Sequence, residues 1–292
     1  MTQRPSIRRR RLIAALRQLR EQAGMSISEA AAAADWDTSK LSRIERFQIG
    51  ITGDDTLNLC EALGTDQEIA NTLARLARES RRRGWWHVYT DVLGEFADFV
   101  ELETDAKRVL EWEADVVPGP LQTEEYATAV IRHAWPEDTD EANARRVQLR
   151  MERQKRFQDG PARLWVILDE AVLRRPVGGH PVMADQLEHL VAMSASPQVT
   201  MQVLPTQLKG HSALGVPFTL IDLIDGASYA YLEAITGGIY VEDPADVDRY
   251  HTAWSRLVAE SLDFSRSLET IRQHATEHRS SHDQAGSGGN VA

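Results

Sequence analysis

Five consecutive alanines, Ala30 to Ala34, preceded by Ser28-Glu29 and followed by Asp35-Trp36, constrain the fold of this chain more than any other feature. Alanine is the strongest helix former and has almost no side-chain bulk. The segment therefore predicts a short, thin helix that another helix can approach closely. Ahead of it, Leu12, Leu16 and Leu19 recur at helical spacing, and Gly24 stands where a first helix would end. Behind it, Asp37 or Thr38 can cap a third helix running through Arg46. Leu41 and Ile44 would then face inward, with Ser39, Lys40, Ser42 and Arg43 mostly outward. A fourth helix is expected from Asp54 or Asp55 to Leu63, closed by Gly64. A fifth starts at Asp66, turns Ile69, Leu73, Leu76 and Ala77 inward, and ends at Arg83 before Gly84.

Beyond Gly84 the pattern becomes mixed. Trp85, Trp86 and Tyr89 read as core. Helices are expected at 96–112, 123–133, 141–157 and 182–193, and strands at 164–168, 199–204 and 218–223, where β-branched or alternating apolar residues cluster. Segments 229–235 and 239–242 flank Thr236-Gly237-Gly238, which reads as a tight hairpin turn. Asp243-Pro244 introduces a last helix carrying Val247, Tyr250, Trp254, Leu257 and Val258. From 277 the chain is polar and rich in Gly and Ser, so 277–292 reads as a disordered tail.

The net charge of −11 argues against a nucleic-acid partner until the chain is divided. Residues 1–83 carry 15 Lys+Arg against 11 Asp+Glu, a net +4, whereas 84–292 carry 18 against 33, a net −15. The first part can exchange counterions for phosphate contacts; the second is repelled by a duplex and must serve another purpose. No apolar run approaches the ~18 residues needed to span a bilayer. A single cysteine, Cys60, excludes an intramolecular disulfide and suits a reducing cytoplasm, so a cytoplasmic, nucleoid-associated location is expected.

Major-groove reading needs a helix with short or polar outward side chains, supported by a second helix across a tight turn, and residues 24–46 have that layout. The run Thr38-Ser39-Lys40-Leu41-Ser42-Arg43-Ile44-Glu45, behind the alanine helix, resembles the Cro/repressor-like (xenobiotic-response-element) helix-turn-helix family. The resemblance implies a five-helix, lambda-repressor-like DNA-binding domain over 12–83 that docks on double-stranded operator DNA. It places Thr38, Ser39, Lys40, Ser42 and Arg43 against bases or nearby phosphates, and makes Arg20 and Glu45 an internal structural salt bridge. Two positions depart from the family. Ile27 stands where a phosphate-binding glutamine is usual, and Asp35 stands where the turn usually has glycine, a change Asp tolerates because it visits the left-handed region. Arg8, Arg9, Arg10 and Arg11 would compensate for Ile27 as a basic arm over 1–11 that reaches the backbone or a minor groove.

The resemblance extends further. Arg82-Arg83-Gly84-Trp85-Trp86, the run from Val117 to Tyr126, the run from Asp169 to Gly179, Val203-Leu204-Pro205 and Tyr240-Val241-Glu242-Asp243-Pro244 look like a family of actinobacterial regulators. In that family a Cro/repressor-like domain is fused to a large uncharacterised domain. The whole chain is thus expected to be multidomain: the all-α domain, then a mixed α/β (α+β) regulatory domain over 84–276. Such regulators are similar to antitoxins and are paired with a small protein encoded next door, so the resemblance implies a homodimer, a protein partner for the acidic half, and repression as the common outcome. A small-ligand sensor and an interaction module with vestigial DNA binding are the alternatives.

Catalysis is not expected. Asp169-Glu170 reads as an ion-paired turn, Gly178-Gly179 lacks the spacing and lysine of a phosphate loop, and the histidines read as scattered, so no metal or cofactor is called for.

Overall fold

The computed structural model describes residues 5–235 and 237–287, the side chains at 95 and 283–287 excepted. The chain divides into two units, with the boundary after His87.

The first unit is five helices: α1 (Ile7–Gln22), α2 (Ile27–Ala33), α3 (Thr38–Glu45), α4 (Gly53–Ala62) and α5 (Gln67–Ser80). Each starts on a side chain that accepts a backbone N–H, from Ser6, Ser26, Asp37, Thr52 and Asp66 respectively, which satisfies donors the helix itself leaves orphaned. Ser26 and Glu29 form a reciprocal capping box on α2. Leu12, Leu16, Ala30, Ala31, Leu41, Ile44, Leu59 and Leu73 bury their side chains in one core, each large aliphatic contributing about 1.5–3 kcal/mol of burial.

The expected arm differs. Helix α1 begins at Ile7, so Arg8 to Arg11 lie in its first turns. Ile7 is fully buried and Arg8 nearly so, and the Arg9 guanidinium donates to the Phe47 and Ile49 carbonyls at 2.9 and 2.7 Å. An arginine run has no apolar periodicity to betray a helix; the Ser6 cap and the Ile7 anchor decide it.

The second unit opens with α6 (Thr90–Leu93) and α7 (Ala97–Thr104), then β1 (Ala106–Glu113), α8 (Glu124–Ala134), α9 (Asp140–Asp159), β2 (Arg163–Asp169), α10 (Glu170–Arg174), α11 (His180–Met193), β3 (Val199–Leu204), β4 (Phe218–Leu223), β5 (Ser228–Ala234), β6 (Gly237–Val241), α12 (Pro244–Glu260) and α13 (Phe264–Ser287). The six strands form one mixed sheet in the order β3-β2-β1-β4-β5-β6. Strands β1, β2 and β3 run parallel, joined by helical crossovers, while β4, β5 and β6 are antiparallel additions beside β1.

Strand β1 overturns the expected helix at 96–112. The helix stops at Thr104, and the following residues form the central rung between β2 and β4. Its charges, Lys107, Arg108, Glu111 and Glu113, disguise a strand. Alternation sends Leu110 and Trp112 into a core with Trp254 and Leu257 of α12, and Val109, Glu111 and Glu113 to the opposite face.

Two further expectations change. The disordered tail does not begin at 277: α13 continues to Ser287, with Ile271, Ala275, His274 and His278 buried and Arg279 ion-paired to Asp185 and Glu188 of α11. Residues 288–292 lie outside those described. In the β5–β6 hairpin, Gly237 and Gly238 pair as strand residues with Ala234 and Glu233, and Thr236 lies outside the described residues. Gly238 is required by close approach, because a Cβ there would stand 2.0 Å from the Tyr231 ring.

Candidate functional site

The α2–α3 turn is built on Asp35, which adopts φ 57°, the left-handed region that lets the chain reverse within one residue. Asp37 then caps α3 by accepting the Ser39 N–H at 2.8 Å, and the Ser39 side chain together with that backbone bond keeps the Asp37 carboxylate below the usual range. The buried stripe of α3 is Leu41, Ile44 and Glu45. Thr38, Ser39 and Arg43 are exposed and Ser42 is half-buried.

Lys40 sits differently from its neighbours. Its ammonium lies 2.7 Å from Asp55 of α4 and 3.9 Å from the centre of the Trp36 ring, so its charge is partly spent inside the domain. Arg20 and Glu45 form a two-pronged pair at 2.8 and 3.2 Å, and Arg20 also donates to the Met25 carbonyl. The Glu45 carboxylate raises the Arg20 guanidinium above its ordinary pKa. Arg17 joins through the Glu45 carbonyl at 2.9 Å. This cluster ties α1 to the end of α3 and fixes the angle at which α3 is presented.

The second unit holds a polar cleft that the sequence reading missed. Its floor is one face of the sheet: Glu111 and Glu113 of β1, Thr219 of β4, and Tyr231 and Glu233 of β5. Cross-strand register puts Glu111 opposite Thr219, and Thr219 opposite Tyr231. Phe96, Phe99, Arg150 and Arg153 close it from the helical side, in two adjoining lobes of about 300 and 370 Å³. Burial, reinforced by repulsion from Glu103, pushes the Glu111 carboxyl up to about 8. Burial and Glu111 itself push Glu113 in the same direction. Arg153 is bidentate with Glu103 at 2.9 Å on both prongs. Arg150 donates to the Gln122 amide oxygen at 2.6 Å. No local pattern marks Glu111 and Glu113, since their i, i+2 spacing has meaning only once β1 is known to be a strand.

Asp169 caps α10, accepting the Ala171 N–H at 2.8 Å, and Glu170 pairs with Arg174 one turn on. Their carboxylates serve separate structural ends. Two histidine spacings escaped the sequence reading: His274, His278 and His282 follow one another four apart on α13. The His274 nitrogens face Glu170 at 3.4 Å and Glu277 at 2.8 Å. Those of His278 face the Leu173 carbonyl at 2.9 Å and His180 at 2.8 Å. The His274 and His278 rings are thus engaged by protein, and no group of three metal-ligating side chains occurs among the described residues. No helix among them is long and apolar enough to cross a membrane.

Residues 11–73 match a family model described as a helix-turn-helix domain, and residues 96–273 match one described as a domain of unknown function (DUF5753). No curated protein and no solved structure matches the chain.

Proposed function

Because the chain belongs to the DUF5753 family, whose domain covers 96–273, and carries a helix-turn-helix domain ahead of it, we propose that it is a sequence-specific transcriptional regulator that lays α3 in the major groove of an operator. The observation that carries this reading is the two-sidedness of α3: Thr38, Ser39 and Arg43 face solvent, while Leu41 and Ile44 anchor the opposite side in the core. Short hydroxyl side chains and an arginine are what base edges and phosphates accept. Arg43 reads a base edge, Thr38 and Ser39 position the helix on the backbone, and Lys40 lends charge from its place beside Asp55. The first turns of α1 add positive potential, with Arg8 and Arg9 held in the fold.

A single helix-turn-helix gains affinity by pairing, so the protein works as a dimer on half-sites about one helical turn (~34 Å) apart. Its acidic second unit receives the signal, from a small protein partner or a ligand, and the output is repression in an antitoxin-like arrangement.

The test is selection of bound sequences from random duplexes by the purified chain, followed by anisotropy titration of the winner across salt concentrations. A two-fold symmetric site whose log affinity falls by about 0.9 per neutralised phosphate with log salt supports the reading. Absence of any enriched sequence, with flat salt dependence, overturns it in favour of an interaction module, whose partner mass spectrometry of co-purifying proteins would then name.

A further inference from the structure

We propose that the cleft over β1, β4 and β5 binds a small organic cation, an amine or guanidinium compound whose charged group seats between Glu111 and Glu113 and whose apolar part lies against Phe96, Phe99 and Tyr231.

Glu111 is 8% exposed and lines the cleft. Among the described residues neither the Glu111 nor the Glu113 carboxyl group is hydrogen-bonded or ion-paired, although their backbones pair within the sheet. A buried carboxylate without a partner is expensive, and an apolar pair at the same positions of a central strand would stabilise the sheet more. The cations already present have other duties. Arg153 is paired with Glu103 and lies 4.8 and 5.3 Å from the Phe96 and Phe99 ring centres, and Arg150 holds Gln122 through one terminal nitrogen, with its buried Nε left without a hydrogen-bond partner.

The charged groups that act on the pair are Glu103 from α7, Arg150 and Arg153 from α9, Glu233 from β5, and Asp115 just beyond β1, which is itself ion-paired to Arg175 at 3.7 Å. Carboxylates outnumber guanidiniums, so the cleft is short of positive charge. Two carboxylates flanked by stacked rings suit an organic cation, which gains from aromatic faces as well as from the charges. A bare divalent metal would seek a fuller oxygen shell. The cleft volume is that of small-molecule sites.

Occupation by a cation makes the ionised carboxylates favourable again, so binding expels protons and tightens as pH rises. The test is calorimetry on the full chain without DNA at pH about 8.5, on the ionised side of Glu111. The probes are phenethylammonium, benzamidinium and agmatine, with phenethyl alcohol and phenylacetate as neutral and anionic controls. At least one cation should bind about tenfold or more tightly than the alcohol, with a heat that varies with the ionisation enthalpy of the buffer. Glu111→Gln and Glu113→Gln should each erase that preference. The half-buried Glu113 position keeps the test open should Glu111→Gln fail to fold. Cations that bind no better than the alcohol, or preference that survives both substitutions, would overturn the assignment. Since no operator enters the experiment, its failure is separable from failure of the DNA-binding reading.

Discussion

Arg43 and Glu45 are two residues apart on one helix and have opposite environments, one exposed and one 6% exposed beneath Arg20. Arg43→Ala should leave the melting temperature unchanged and weaken operator binding by about 1–3 kcal/mol, relaxing specificity at one base. Glu45→Ala should do the reverse first: Arg20 would keep only the exposed Glu21 carboxylate at 3.7 Å, costing about 3 kcal/mol of stability in a thermal melt. Glu111 makes a pH prediction. Its folded-state pKa is raised to about 8, so the folded state is favoured most when the group is protonated. That contribution is whole below the ordinary carboxyl value of about 4.3 and is lost as pH rises through about 8. Glu111→Gln should therefore melt higher than the parent chain at alkaline pH, with the gap narrowing towards pH 5. A gap that does not change with pH would show that Glu111 is solvated. The exposed positions of α3 were legible in the sequence because helical period alone sorts them. The cleft carboxylates were not, because which face a strand residue takes depends on neighbours distant in the chain.

Helix α13 shows the same limit in an element. Its sequence is polar enough to read as a tail from 277, yet it packs along α11 and β3 with Ile271 and Ala275 buried. A polar helix is ordered here because its His274 and His278 find partners on α10, α11 and α13 itself, and Arg279 finds two carboxylates on α11. Burial, with His180 and His274 nearby, holds His278 below its ordinary pKa. A depressed histidine stabilises the fold above about 6.5, and the contribution disappears as pH falls through the lowered value. Amide exchange protection in α13, corrected for intrinsic rate, should drop between pH 7.5 and 5 more than protection in β2, with Glu170, Glu277, Arg174 and Arg279 the charged groups around it. Equal changes in the two elements would show that the histidine contacts do not hold the helix. Strand β1 repeats the lesson from the other side: eight residues with four charges suggest a helix, and only pairing on both edges with β2 and β4 makes them a strand.

Across the whole molecule, two cores are assembled from separate stretches of chain: one from Leu12 to Ala77, the other from Leu110 to Leu257. Calorimetry should therefore resolve two transitions. Leu41→Ala, in the first core, should lower only one of them, by about 2–5 kcal/mol for a cavity of that kind. One transition that moves as a whole would mean the units unfold together. The sequence alone determined the five N-terminal helices, the placement of α3 behind the alanine helix, the mixed character of the second unit, and the division of charge between a basic and an acidic part. These depend on local quantities, namely helical period, capping residues, glycine positions and summed charge. Tertiary structure alone decided that the arginine run begins a helix, that 106–113 is the centre of a sheet, that the polar C-terminal segment is docked, and that two glutamates share a cleft with aromatic walls. Each of those depends on contacts between residues far apart in the chain, where burial and partner choice outweigh local propensity.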